Sequence, residues 1–507
     1  MGFFDKLLTG IAPGVAVRRQ EQRLKLDGLK RARSYYQGAT TSHRSAGWRP
    51  VNTDVNNETR FSAQRLRDVA REMVRNNPYA SRAQHVIASN VIGTGIIPSI
   101  ESPNGRMKAR LEALLREHFD TPLCDHEQQN DLYGLQFMAM KCIIESGEVL
   151  LRIRPQRSDA SLPLPFTLQV LEPDYLDVMR DGPMPNGNMA IQGIEFDTNG
   201  KRVAYWMWDE HPGTYLPMQM ESRRIPAEYI IHAYRKDRPG QVRGVSWFAP
   251  VILRVRDFND FADAQLMRQK IAACFTAFVT TDGTETNSAD ETSDATSMPL
   301  EEVEPGIIER LRPGEAVEFG SPPSTSEFGA YTRTTLQEIA AGLGISYEAL
   351  TGDLTSVNFS SGRMGWLEFQ RTIDTWRAHM LIPQFLFPIG NIFMRYARVS
   401  TGLNGTARVK WTSPRREMIS PKDEIPYAVE QIRSGLLTRS EWLRRQGYDP
   451  EIVDAELAAD NRRIDSLQLT LDSDPRKTAA ARGATNPVKP VDEEGDGEDE
   501  QASNQLN

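Results

Sequence analysis

Two amphipathic helical patterns, separated by an acidic stretch, constrain the fold of this chain more than any other feature. Apolar residues recur at helical spacing from about Trp247 to Phe278, and again over 328–343. Between them, residues 282–304 contain no Lys or Arg and are rich in Asp, Glu, Ser and Thr. This composition predicts an exposed insertion. Each helix has an apolar face that must be buried against a partner surface.

Composition limits the function classes that remain open. The 507 residues include 60 Lys or Arg and 68 Asp or Glu, so the net charge is −8, which argues against a protein that grips nucleic acid through a basic surface. The three cysteines, Cys124, Cys142 and Cys274, form no CxxC pair, which favours a reducing setting over a disulfide scaffold. The apolar run 380–394 contains prolines and is too short to span a membrane.

The order of the remaining patterns predicts an α+β protein of several domains. Apolar spacing from Leu66 to Val74 predicts a helix that ends before Asn77-Pro78. Alternation with a period of two over 148–234, with a hairpin signal at Asn199-Gly200, predicts an antiparallel β-rich module. Further helices are predicted over 363–399, where Pro383 bends or ends the helix, and over 422–469.

Residues 351–362 contain hydroxyls, turn formers and one carboxylate, Asp353, but no Lys or Arg. We predict a loop here. A tail over 471–507 is acidic and poor in apolar residues, so we predict that it is disordered.

Motifs for catalysis are absent from the sequence. There is no GxxxxGK[ST] or GxSxG, and the HExxH-like stretch that begins at His126 lacks its second histidine. His118, Cys124 and His126 could supply three metal ligands, although incidental residues of a surface loop are the favoured interpretation. Asp353 has no carboxylate neighbour in the sequence for acid/base or two-metal work. We therefore expect no catalytic residue, no metal and no cofactor.

Several segments, in order, resemble the portal proteins of tailed phages, lambda family. They cover roughly residues 20 to 465 and are Asp54-Val-Asn-Asn-Glu58, Val74-Arg-Asn-Asn-Pro-Tyr-Ala80, Asn90-Val-Ile-Gly-Thr-Gly-Ile96, Glu145-Ser-Gly-Glu-Val-Leu-Leu151, Leu171-Glu-Pro-Asp174, Gly193-Ile-Glu-Phe-Asp197, Arg238-Pro-Gly-Gln-Val-Arg-Gly244, Ala340-Ala-Gly-Leu-Gly-Ile-Ser-Tyr347, Asn358-Phe-Ser-Ser-Gly-Arg363 and Ser434-Gly-Leu-Leu-Thr438. One departure is Gly362, where the family usually has another residue between Ser and Arg.

The resemblance implies a portal-type fold that assembles as a ring of about twelve subunits at one capsid vertex. Double-stranded DNA would pass through the ring during packaging and ejection. The implied parts are an N-terminal wing (1–245), a first stem helix (246–278), a clip (279–326), a second stem helix (327–343), a tunnel-loop region (344–362), a long helix returning to the wing (363–419), a crown (420–470) and the tail (471–507).

The resemblance also assigns roles to individual residues. The tunnel loop, which narrows the channel, would consist of Asp353, Leu354, Thr355, Ser356, Val357, Asn358, Phe359, Ser360 and Ser361. Glu301, Glu302 and Glu304 would lie in the clip and dock the packaging motor and connectors, although a solvent-exposed loop is the alternative. Four charged residues are candidates for inter-subunit pairs or else are solvated: Arg333, Glu338, Arg371 and Asp374.

The implied partners are other copies of this chain, DNA bound without sequence specificity, the large terminase subunit, head-completion or adaptor proteins, and the major capsid and scaffolding proteins. No membrane is involved, and the protein would occur in the virion and, during assembly, in the host cytoplasm. Two alternatives stay open at this point: another ring component such as an adaptor, and a metal-dependent hydrolase that uses His118, Cys124, His126 or Asp353.

Overall fold

The computed structural model describes residues 14, 17–18, 21–26, 47, 52–157, 162–214, 221–273, 277–281, 315–319, 328–355, 357–403, 405–414, 418 and 420–469. The chain divides into two units, Met1–Glu58 and Thr59–Asn507. In the first unit, residues 21–26 are helical. The predicted acidic insertion and the predicted disordered tail lie outside the described residues.

The described helices are α1 Val55–Asn76, α2 Pro78–Ile92, α3 Gly105–Phe119, α4 Leu132–Ser146, α5 Ile252–Ala273, α6 Phe328–Leu343, α7 Tyr347–Thr351, α8 Phe359–Trp376, α9 Phe387–Thr401, α10 Pro421–Arg433, α11 Arg439–Arg445 and α12 Pro450–Ser466. The described strands are β1 Ile97–Glu101, β2 Glu148–Pro155, β3 Phe166–Leu171, β4 Gly182–Pro183, β5 Met189–Ile191, β6 Ile194–Phe196, β7 Arg202–Trp208, β8 Ser222–Pro226, β9 Ile230–Tyr234, β10 Ala277–Thr281, β11 Glu315–Phe319 and β12 Arg408–Thr412. The predicted α+β class is confirmed.

The antiparallel module predicted over 148–234 is present as two sheets. One has the strand order β3-β2-β9 and the other has the order β4-β5-β6-β7-β8, and all of their pairings are antiparallel. The hairpin predicted at Asn199-Gly200 connects β6 to β7, and Gly200 adopts the positive φ of 77° that this tight connection requires. We call residues 148–234 the two-sheet region.

Two apolar cores lie in the second unit. The larger core packs helices such as α2, α3 and α4 against side chains of β2, β3 and β9, for example Ile87, Ile143 and Leu151. The smaller core lies between the two sheets, where Leu150 contacts a cluster that includes Ile194 and Met207. β2 supplies both cores because its successive side chains point to opposite faces.

A buried ionic cluster joins the two sheets at the start of β2. Arg243 donates to both Glu148 oxygens, with an Nη2–Oε1 distance of 2.6 Å, and also donates to the backbone oxygen of Gln192 next to β6. His232 Nε2 lies 2.9 Å from Glu148 Oε2. Burial would raise the pKa of Glu148, but Arg243 and His232 outweigh it, so the pKa falls well below its usual range. Burial lowers the pKa of His232 to about 4.

The first predicted long helix is shorter than its apolar pattern indicated. The prediction of 247–278 was wrong at both ends, because the helix covers Ile252–Ala273 and Phe278 belongs to strand β10. At the start, Pro250 disfavours helical geometry at the residue before it, and Trp247 and Phe248 are buried in the preceding turn. At the end, the β-branched and aromatic run over 278–281 pairs with β11 instead.

Pro383 does not end its helix. Helical geometry continues from α8 through a π-helical segment, Arg377–Leu386, into α9, and the wider turn accommodates a ring that would clash in an α-helix. The segment predicted as helical over 422–469 is three helices, α10 to α12, because Gly435 and Gly447 adopt positive φ between them. Thr438 caps α11 by accepting a hydrogen bond from the Glu441 amide.

Candidate functional site

Helices α5 and α6 lie side by side and run in opposite directions. Arg254 near the start of α5 pairs with Glu338 near the end of α6, with an Nε–Oε2 distance of 3.3 Å. Further along α5, the Phe261 ring contacts the Tyr331 ring of α6 at a centroid distance of 4.2 Å. A Cβ on Gly342 would lie 2.4 Å from Val251, which directly precedes α5, so the absence of a side chain at Gly342 allows a close approach at this end. The helix predicted from the apolar spacing over 328–343 is present as Phe328–Leu343.

Two described strands, one after α5 and one before α6 in the sequence, form a two-stranded sheet. Strands β10 and β11 pair antiparallel, with Ala277 opposite Phe319 and Thr281 opposite Glu315. The chain that connects them, 282–314, lies outside the described residues, and so do the candidate docking residues Glu301, Glu302 and Glu304.

The apolar face of α5 is buried over only part of its length. Val251, Val255 and Phe258 are buried against the larger core. Leu266, on the face that the sequence predicts to be apolar, is half exposed, and its neighbour Met267 is also exposed. The second half of this helix therefore has apolar side chains that the described part of one chain does not cover.

Residues 352–358 form a loop whose two ends are fixed by helix caps. Before the loop, α7 begins at the capping residue Ser346 and ends at Gly352, which has the left-handed φ of 76°. After the loop, Asn358 and Ser361 form a reciprocal capping box at the start of α8. The predicted loop of 351–362 was therefore too long.

The capping box changes the placement of three predicted loop residues. Phe359, Ser360 and Ser361 belong to the first turn of α8 rather than to the loop. Ser356 lies outside the described residues, and Leu354 is exposed. The functional groups that the structure describes in the loop therefore include the Asp353 carboxylate, the Thr355 hydroxyl and the exposed apolar side chain of Leu354.

Asp353 organises the loop. Its Oδ1 accepts hydrogen bonds from both the amide and the hydroxyl of Thr355, the latter at 2.6 Å, and its Oδ2 accepts one from the Tyr347 hydroxyl at 3.3 Å. The hydrogen bonds from Thr355 lower the pKa of Asp353, so the loop keeps a negative charge at neutral pH. Residues 344–362 contain no Lys or Arg to balance it.

Two arginines that the sequence analysis missed connect α2 to α7, which precedes the loop, and to the segment that follows α8. Arg82 Nε donates to the Ala349 carbonyl at 3.1 Å. Arg377, which is buried, donates to the Val91 carbonyl at 2.7 Å and to the Asn90 carbonyl at 2.8 Å. Neither contact has a local sequence signal, because each partner lies more than 250 positions away.

The structure places the four predicted inter-subunit residues as follows. Glu338 pairs within the chain with Arg254, as described above. The Arg333 guanidinium lies 5.6 Å from the centre of the Tyr347 ring, and Asp374 Oδ1 lies 3.8 Å from Arg377 Nη1. Arg371 is exposed, and among the described residues its side chain forms no ion pair.

The predicted metal ligands do not form a site. His118 packs against the rings of Phe119 and Phe166, and neither of its ring nitrogens has a hydrogen-bond partner. Burial lowers the pKa of His118 to about 4 and raises the pKa of Cys124 to about 12. His126 lies against Thr167.

A different group, Glu172, Asp174 and His211, is the arrangement with metal-ligand spacing within the described residues. Arg67 and Arg71 already pair with Asp174 at 3.0 and 2.5 Å, so this group is a salt-bridge network. None of the helices in the described ranges has the length and apolar composition to cross a membrane.

Comparisons with known proteins identify the family. The family described as "Phage portal protein, lambda family" matches residues 41–377. The chain therefore belongs to the lambda family of phage portal proteins, and its function is that of a portal protein.

Relatives of similar sequence are also described as portal proteins. The chain is 27% identical to the probable portal protein of Halomonas phage phiHAP-1, over 85% of this chain and 86% of that protein. It is 21% identical to the portal protein of Escherichia phage N15, over 89% and 93%, and 21% identical to portal protein B of Escherichia phage lambda, over 85% and 90%. A solved structure, the neck of a native gene transfer agent particle computed with C12 symmetry, covers 80% of this chain and 97% of its own at 16% identity and a TM-score of 0.46.

Proposed function

We propose that this chain forms a ring of about twelve subunits at one capsid vertex and that double-stranded DNA passes through the ring during packaging and ejection. Membership of the portal family supports the ring. In a ring of this kind each subunit binds its neighbours through two different surfaces, and the half-exposed apolar face of α5 is one surface that needs such a neighbour.

The parts of the ring follow the implied boundaries. The wing corresponds to 1–245, the stem to α5 and α6, the clip to 279–326 and the crown to 420–470. Glu301, Glu302 and Glu304 would dock the large terminase subunit and then head-completion proteins. The major capsid and scaffolding proteins would surround the ring, which occurs in the virion and, during assembly, in the host cytoplasm. The chain acts without catalysis.

The observation that carries the proposal is the charge of the loop 352–358. A duplex that slides must not be held, and each Lys or Arg that binds phosphate adds an affinity that must be broken at every step. The loop is fixed at both ends by caps, presents the ionised Asp353, and contains no Lys or Arg of its own, although the Arg82 guanidinium of α2 lies beside Gly352. Such a loop can narrow a channel without binding the DNA.

Placing a cation in the loop tests this mechanism. Leu354 is 66% exposed, and its side chain, unlike that of Thr355, donates no hydrogen bond to Asp353. Leu354→Lys therefore adds a cation to every subunit and leaves the hydrogen bonds of the loop in place. We expect packaging to slow several-fold at about 50 mM salt and to recover towards the wild-type rate at about 200 mM, because salt weakens phosphate contacts.

The matched control is Leu354→Gln, which removes the apolar side chain without adding charge and is expected to package at nearly the wild-type rate. Intact rings are confirmed for each variant by electron microscopy. A Leu354→Lys ring that packages DNA at the wild-type rate in low salt would contradict the conduit mechanism.

A further inference from the structure

A groove of about 790 Å³ lies between α1 and α5. Its apolar wall is formed by Leu66, Val69 and Met73 from α1 and by Leu253 from α5. These α1 residues are spaced for a single helix face, and Leu253 is largely exposed. The groove is therefore an open apolar surface between two helices of the same chain.

Charged side chains of both signs border this groove. Arg65 and Glu72 lie seven residues apart on α1, about two turns along the same edge of its apolar face. Both are exposed, and neither forms an ion pair with any described residue. Unpaired charges at the edge of an apolar groove are typical of an interface rim.

A second unpartnered surface lies on α8. The inner face of this helix is buried through Phe369 and Ile373, whereas on its outer face Met364 is 70% exposed and Leu367 is 44% exposed. Arg371 lies one to two turns further along the same face. Glu368 and Arg371 are exposed and form no ion pair among the described residues.

We propose that the outer face of α8 from a second copy of this chain fills the groove between α1 and α5. Met364 and Leu367 of one copy would enter the groove of the next, with Arg371 opposite Glu72 and Glu368 opposite Arg65. This inference rests on the proposed ring and specifies which surfaces of the subunits meet.

Three observations favour a second copy as the occupant. The groove is lined by no residue of α8, so the two surfaces are distinct and their contact is head-to-tail, which is the type that closes into a ring. Each surface is an apolar centre beside one unpaired acid and one unpaired base, so the two are complementary in charge. Both lie in elements that adjoin the helix pair and loop of the candidate site.

Charge reversal tests the pairing. Glu72→Arg and Arg371→Glu each place like charges opposite one another, and each is expected to raise the protein concentration needed for half-assembly about tenfold, measured by mass photometry. The double variant restores an opposite pair and is expected to assemble within about twofold of wild type. Arg363→Glu, on the side of α8, is the matched control and is expected to have a smaller effect.

Cross-linking gives a second readout that does not depend on assembly strength. In Leu253→Cys/Met364→Cys, oxidation is expected to produce a ladder of covalently linked subunits on a non-reducing gel, whereas each single variant gives none. Rings that form without a ladder, or a double reversal that is no better than the single ones, would overturn the proposed contact and leave the ring intact. A wild-type chain that forms no ring would contradict the proposed function itself.

Discussion

The two-sheet region and the C-terminal helices differ sharply in how much of their stability one chain supplies. In the two-sheet region, large side chains such as Phe166 and Leu168 are fully buried, and the buried charge of Glu148 is paired with Arg243, which follows the region in the sequence. In the C-terminal helices, α10 buries Ala428 and α12 buries Pro450, while α11 buries no residue.

This difference indicates what each region needs. In the two-sheet region, most large apolar side chains of the strands are buried against the helices and sheets of the same chain, although Met179 is exposed. The C-terminal helices leave Tyr427 and Leu436 exposed, so their apolar surface is available to neighbours. The same contrast runs along α5, which is buried at its start and exposed in its second half. Such a subunit folds around one well-buried region and can bury its remaining apolar surface against neighbouring subunits. A ring provides those neighbours.

The largest effect is expected from breaking the buried ion pair of Glu148 with Arg243. Arg243→Met leaves the Glu148 carboxylate buried without its main partner, and we expect a loss of about 3–5 kcal/mol in the free energy of unfolding. Chemical denaturation measures it. The control is Arg223→Met, which removes an exposed pair with Asp209 and is expected to cost less than about 1 kcal/mol. If both variants lost the same free energy of unfolding, the buried pair would be no more important for stability than the exposed one, which would contradict this account.

A smaller effect is expected from the buried His118. Its pKa is about 4 in the folded protein and about 6.5 in an unfolded chain, so the unfolded state takes up a proton that the folded state does not. Stability is therefore lost as the pH falls from about 6.5 towards 4. His118→Leu removes this loss.

Urea denaturation at two pH values measures that effect. Between pH 7 and pH 4.5, the stability of His118→Leu relative to wild type is expected to improve by about 2 kcal/mol. His379→Leu, at an exposed position, is the control and is expected to leave the pH dependence unchanged. A His118→Leu variant with the wild-type pH dependence would show that this histidine is not held neutral.

An effect of about 1 kcal/mol is expected at the loop. Asn358→Ala removes the cap of α8, and because the first turn of that helix is exposed, the loss should be local. Hydrogen exchange at the Ser361 amide is expected to speed up about fivefold, with Ser360→Ala as the control in the same turn. Unchanged exchange would contradict the capping geometry that shortens the loop.

The smallest effect is expected in the C-terminal helices. Leu436 is 80% exposed, so Leu436→Ala is expected to change the stability of the monomer by less than about 0.5 kcal/mol. The same substitution at the buried Leu168 is expected to cost about 2–5 kcal/mol. Thermal denaturation of both variants compares the two regions directly. Similar losses of stability would show that the C-terminal helices are as well buried within one chain as the two-sheet region.

The sequence predicted those elements whose signals are local. The apolar spacing of α1 and α6, the stop at Asn77-Pro78 and the Asn199-Gly200 hairpin all match the structure, because caps, turns and amphipathic faces depend on neighbouring residues. The end of the loop was missed although its signal was present, since Asn358 and Ser361 have the spacing of an N-terminal cap.

Features that depend on distant contacts were not predictable in this way. Strand β10 competes with the end of α5 and is selected by its pairing with β11, nearly forty positions away. The contacts of Arg82 with α7 and of Arg377 with α2, and the ion pair between Glu148 and Arg243, join residues with no shared motif. Periodicity shows that a face is apolar but does not show what covers it.

Electron microscopy of the purified 507-residue chain tests the central claim most directly. The account predicts a ring of about twelve subunits around an open channel, with residues 352–358 of every subunit at its narrowest point. A ring whose narrowest point is formed by other residues, or a closed assembly without a central channel, would contradict it.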